Sequence, residues 1–121
     1  MNSILDAETI KTLRTYIDKE GKCLLDTLTE IFISTVPGEI KQLRSYFDSR
    51  DFSSLETSAH SLKSTAGGLG AMAMSEALAK IEEHLASLEG ATPNEAMLSG
   101  WLKIVEEQLD PIVSELRKLN S

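Results

Sequence analysis

The chain has 121 residues, 41% of them hydrophobic and 5% aromatic, which is enough for one buried core and, at this length, for one domain over residues 1–121. A net charge of −7 with no basic run argues against a nucleic-acid partner; the lone cysteine, Cys23, excludes an internal disulfide framework and reads as an ordinary helix residue in a reducing compartment. No apolar run reaches the roughly 18 residues of a membrane span, and Met1–Asp6 lacks the charged and apolar regions of a signal peptide, so a cytoplasmic monomer without membrane contact is expected.

Leu, Ala, Glu, Ser and Lys dominate, which favours helix, and five helical segments are predicted. The first starts at Asp6 as N-cap, carries Ile10, Leu13 and Ile17, and ends near Gly21. The second carries Leu24, Leu28, Phe32, Val36, Ile40, Leu43 and Phe47. Its stripe keeps phase through Pro37, so one long helix kinked at that proline is predicted. The third opens with Ser53-Ser54-Leu55-Glu56, a capping-box pattern, and closes near Gly70. The fourth carries Met74, Leu78, Ile81, Leu85 and Leu88 and stops at Gly90. The fifth opens with Thr92-Pro93-Asn94-Glu95, a second capping box with proline at the first helical position. Its stripe runs Leu98, Leu102, Val105, Leu109, Ile112, Leu116 and Leu119, with a kink expected at Pro111. Spacings alternating between three and four pack helices nearly antiparallel at about 20°. The predicted fold is all-α: an antiparallel up-down four-helix bundle with the short first helix as a cover, and no sheet.

The third segment is the most informative. Leu55, Ala59, Leu62, Ala66 and Leu69 mark its buried stripe, and at roughly 100° per residue His60 faces about 140° away from it. Ser53, Thr57, Ser64, Gly67 and Ala71 are expected beside it on the outer side, with Lys63 and Glu56 at the edge. A solvated helix face ordinarily carries Lys and Glu. This one is cleared around one imidazole, as for a large partner that must reach it. Gly67 and Gly68 each cost about 1 kcal/mol relative to alanine inside a helix. They make sense where another backbone comes close: Gly67 is read as access, and Gly68, nearer the core side, fits access or packing within the bundle. Lys63 is placed to offset the charge of a phosphoryl group on the ring, about −1.5 to −2.

Ala59-His60-Ser61-Leu62-Lys63-Ser64, followed by Gly70-Ala71, resembles the motif of histidine-containing phosphotransfer (HPt) domains: Ala-His-x-Leu-Lys-Gly or -Ser, a few small residues, then Gly-Ala. Phe32, Pro37, Leu43 and the Ser49-Arg50-Asp51 turn also look like that family's second helix and turn. The resemblance covers roughly residues 20 to 90. Ser64 stands where glycine is commonest and Met74 where leucine is usual, both conservative in size.

The resemblance implies a phosphorelay carrier in two-component signalling. His60 would take the phosphoryl group of a receiver-domain aspartyl-phosphate and pass it to an aspartate of a second receiver. The expected partners are response-regulator receiver domains, a hybrid sensor histidine kinase, or both. The chain itself would bind no cofactor, the Mg²⁺ lying on the receiver, and would not be an enzyme. The docking surface would comprise His60, Lys63, Ser64, Gly67, Gly68, Ala71 and the facing side of the second helix. In this family a polar or acidic side chain on the next helix often bonds the other ring nitrogen, and the matching position is Glu82. Its own helix agrees, since Glu82 lies about 80° from the centre of the Met74–Leu88 stripe, at the flank where helices meet. The alternative is an adaptor: the same bundle binding a receiver or kinase without taking phosphate.

His84 falls on the opposite flank of that helix. No cysteine lies near it and no His-x-x-x-His spacing occurs, so no metal site is predicted. Trp101 beside the last stripe reads as core or cover. There is no Gly-rich phosphate loop after a strand and no nucleophile elbow, which argues against ATP binding and kinase activity.

Overall fold

The computed structural model describes residues 4–119. Five helices follow in order: α1 Ala7–Thr15, α2 Leu24–Asp48, α3 Phe52–Gly68, α4 Met72–Ala86 and α5 Glu95–Leu119. Helices α2 to α5 pack in a ring, each on the next and α5 back on α2, with α1 laid against α2. Short turns between neighbours make them antiparallel. This is the predicted bundle; no strand occurs among the described residues, only an isolated bridge between Ile17 and Cys23.

The seams close as their spacing predicts. Phe32, Val36, Leu43, Leu62, Met74, Leu78, Val105 and Ile112 are fully buried at the bundle centre. Helix α2 runs unbroken through Pro37, and α5 through Pro111. Across the bundle, Arg44 donates to both Glu106 carboxylate oxygens, at 3.0 and 2.6 Å, a two-point tie between α2 and α5. That carboxylate hydrogen bond raises the Arg44 guanidinium further above its ordinary pKa.

Most differences from expectation lie at helix ends. Asp6 caps α1 as predicted, accepting from Thr9 N and Thr9 Oγ1. The helix stops at Thr15, however, because the chain turns at Gly21 (φ +84°) and pairs Ile17 with Cys23, leaving Ile17 exposed. Leu24 is likewise exposed at the start of α2, where Leu25 and Thr29 take the buried positions. Asp51 caps α3 through Ser54 N, two residues before the expected Ser53. An Asp at the cap satisfies the same orphan donor. Helix α4 ends at Ala86, before the turn at Glu89 and Gly90, both of positive φ. Asn94 caps α5 through Met97 N, displacing Thr92-Pro93 to the loop.

Candidate functional site

Helices α3 and α4 share the most extensive packing in the bundle. The sequence allows it because the buried face of α3 alternates leucine with Ala59 and Ala66, whose small side chains let the axes approach. The turn between them is a Schellman motif: Ala71 N donates to Ala66 O at 2.9 Å and Gly70 N to Gly67 O at 3.0 Å. Gly70 takes the left-handed position at φ +78°. A Cβ there would stand 2.9 Å from Asp6 N, the group that donates to Gly70 O at 2.8 Å, so the glycine also seats the start of α1.

That turn corrects one expectation. Ala71 follows the left-handed residue, and the motif folds that position back onto the helix. It is fully buried and cannot line an outer surface.

His60, in contrast, projects outward, its side chain 64% exposed. Ser61, Ser64 and Gly68 are exposed on the same side of α3. Lys63 lies three residues on, one helical turn away, and is half-buried toward α4. From α4, Glu82 enters the space between the two. Its carboxylate bonds His60 Nδ1 with Oε2 and accepts from Lys63 Nζ at 2.6 Å with Oε1. Only 21% of the Glu82 side chain is exposed. The Lys63 ammonium holds its carboxyl below the usual carboxylate range, and His60 adds to the effect.

This arrangement fixes a tautomer. A carboxylate only accepts, so in the neutral ring the proton sits on His60 Nδ1 and the lone pair on Nε2. Nε2 has no hydrogen-bond partner among the described residues. The group is therefore an oriented, solvent-facing nitrogen nucleophile with a cation and a carboxylate behind it.

Gly67 departs from the access role expected of it, and Gly68 takes the access side of its two open readings. A Cβ on Gly67 would lie 3.3 Å from Ser75 Oγ of α4, so Gly67 is where the two helices come close. A Cβ on Gly68 meets nothing within 4 Å, and that residue is the open one. Helical phase at the end of α3, tightened by the turn, explains why Gly67 faces α4. Ser75 was not singled out from the sequence, although a signal existed: it precedes Glu82 by seven residues, two turns on the same face.

His84 is engaged structurally. Its Nε2 accepts from Asn94 N at 2.9 Å, and its ring meets Trp101 edge-on at 5.8 Å, tying α4 to the start of α5. Among the described residues no three His, Cys, Asp or Glu side chains converge as a metal site would require. A cavity of about 520 Å³ lies between α1 and the end of α5 and is lined by none of the residues around His60. No helix among the described residues is long and apolar enough to cross a membrane.

A family model described as Hpt domain matches residues 27–118. No curated protein matches the chain.

Proposed function

The chain belongs to the Hpt-domain family, and on that premise we propose that it carries phosphoryl groups on His60 Nε2 between receiver-domain aspartates. Hpt domains serve two-component phosphorelays as phosphocarriers rather than kinases, and they interact with receiver domains and kinases. The observation that carries the finer reading is the single nitrogen left free. Glu82 engages Nδ1, and Nε2 faces solvent on a surface of small side chains.

The step balances simply. The Nε2 lone pair forms the N–P bond as the bond between phosphorus and the receiver's aspartyl oxygen breaks, and the aspartate leaves as a carboxylate. The Nδ1 proton stays, so the phosphorylated ring gains positive character, which Glu82 faces directly. Lys63, held beside Glu82 one turn from the ring, supplies positive charge near the phosphoryl oxygens. Most of the catalysis is positioning and charge stabilisation. Mg²⁺, when present, belongs to the receiver.

The test is label transfer from a phosphorylated receiver. Wild type should acquire an acid-labile, base-stable phosphoryl group and His60→Gln should not. Equal labelling of the two proteins across several receivers would overturn the carrier reading and leave a binding adaptor.

A further inference from the structure

We infer that Ser75 is a positioning residue for the His60–Glu82 pair, a clamp that fixes the register of α4 on α3; the inference rests on the carrier reading above. Ser75 Oγ donates to the Lys63 carbonyl at 3.2 Å. Inside an α-helix that carbonyl already accepts from the amide four residues on, here Gly67 N. The serine uses its second lone pair.

Gly67 makes this contact possible. With a Cβ at position 67 only 3.3 Å from Ser75 Oγ, any side chain there would compete with the hydroxyl for its place. Burial gives no reason for a serine at 75, because the core face of this part of α4 is made by Met74, Ala77 and Leu78.

Ser75 and Glu82 lie two turns apart on one face of α4. They grip the same residue of α3, Ser75 at the Lys63 carbonyl and Glu82 at its ammonium. The carbonyl is anchored in the helix ladder, whereas the ammonium rides on a flexible stem. The serine contact therefore sets where the Glu82 carboxylate arrives. A slip of one residue along α4 displaces that carboxylate by about 1.5 Å, a distance at which an aligned catalytic group is lost.

Ser75→Ala, Glu82→Gln and the double variant test the clamp. One readout is the imidazole nitrogen chemical shifts of His60, which report the Nδ1–H tautomer without any phosphate. The other is transfer from a phosphorylated receiver, separated into the saturating rate and the half-saturating concentration. We expect Ser75→Ala to lower the Nδ1–H population and to reduce the saturating rate roughly three- to ten-fold, with half-saturation unchanged. It should add nothing in the Glu82→Gln background, as coupled residues do. Gly67→Ala should reproduce the tautomer change in wild type but not with Ser75→Ala, where only Cβ remains, at 3.9 Å. Lowered thermal stability with wild-type shifts and rate would make Ser75 merely structural and overturn the inference. So would a full additional loss in the Glu82→Gln background. If wild type took no label, the carrier reading would fall, and the tautomer measurement would still decide the clamp.

Discussion

Lys63 and Glu82 meet at 2.6 Å across the α3–α4 groove, through the carboxylate oxygen that does not serve His60. The lysine is thus not a free cation waiting for phosphate. It is held beside the imidazole by the same carboxylate that bonds the ring, so the two roles proposed for these residues, charge stabilisation and tautomer control, would share one anchor.

Removing either partner should therefore have unequal effects. Glu82→Ala frees both His60 and Lys63, and slower transfer is expected, by about ten- to a hundred-fold, as when the partner that orients a ligating histidine is removed. The fold should persist, since Glu82 lies outside the core. Lys63→Ala keeps the His60–Glu82 bond and loses only the cation, so a smaller loss, about ten-fold, is expected. Single-turnover transfer with circular dichroism as the fold control measures both. An unchanged rate for Glu82→Ala would remove it from the site.

The depressed carboxyl of Glu82 also predicts a pH dependence of stability. Its folded pKa lies below the unfolded value because Lys63 first, and His60 after it, favour the charged form. Between the two values the unfolded state binds more protons, so stability rises with pH there. The contribution is complete above the ordinary glutamate value, about 4.3. It is lost as pH falls through the lower folded value. The urea midpoint of wild type minus that of Glu82→Gln should hold its full value near pH 5 and shrink below about pH 4. Using the difference cancels Asp6, whose pKa is also lowered by its Thr9 hydrogen bonds. A difference that grew as pH fell from about 5 to 3 would contradict the assignment.

The bundle was legible because its signal is a sum over many residues. The α2 stripe from Phe32 to Leu43 holds its phase through Pro37, and no local choice competes with it. Helix ends were less legible because several residues can serve one cap. Asp51 and Ser53 both offer a side-chain acceptor to α3, and the turn from α2 decides between them: Asp51 N donates to Tyr46 O while its side chain caps α3. His60, Lys63 and Glu82 were readable from facing and from motif. Ala71 was misplaced because helical phase was carried past Gly70, whose positive φ ends it. Ser75 is less legible: its spacing places it on the Glu82 face of α4, but its contacts, the Lys63 carbonyl and the space at Gly67, lie on another helix.

Thr29 offers a test of the core. It is buried in α2 at 1% exposure, and its hydroxyl has no hydrogen-bond partner among the described residues. A buried hydroxyl without a partner costs about 1–3 kcal/mol, and valine matches threonine in shape and helix propensity. Thr29→Val should raise stability by about 1 kcal/mol, read as a higher denaturant midpoint at unchanged slope. Destabilisation by the same amount would mean that the hydroxyl has a partner in solution.

Gly67 and Gly68 give the sharpest separation of packing from access. Gly67→Leu would drive a side chain into Ser75, and a loss of about 1–3 kcal/mol is expected, as for overpacking. Transfer should slow as well, because the Ser75 contact is displaced. Gly68 faces open space, so Gly68→Ala should be neutral or stabilising by up to about 1 kcal/mol. Gly68→Leu should keep the fold while placing bulk on the surface that also holds His60 and Ser64. If a receiver docks there, its half-saturating concentration rises and the rate at saturation does not change. Titrating a phosphorylated receiver against both leucine variants, with thermal melts in parallel, distinguishes the two residues. Selective loss of binding in Gly68→Leu assigns the end of α3 to the docking surface, whereas unaltered half-saturation confines the contact to the turns around His60 and Ser64.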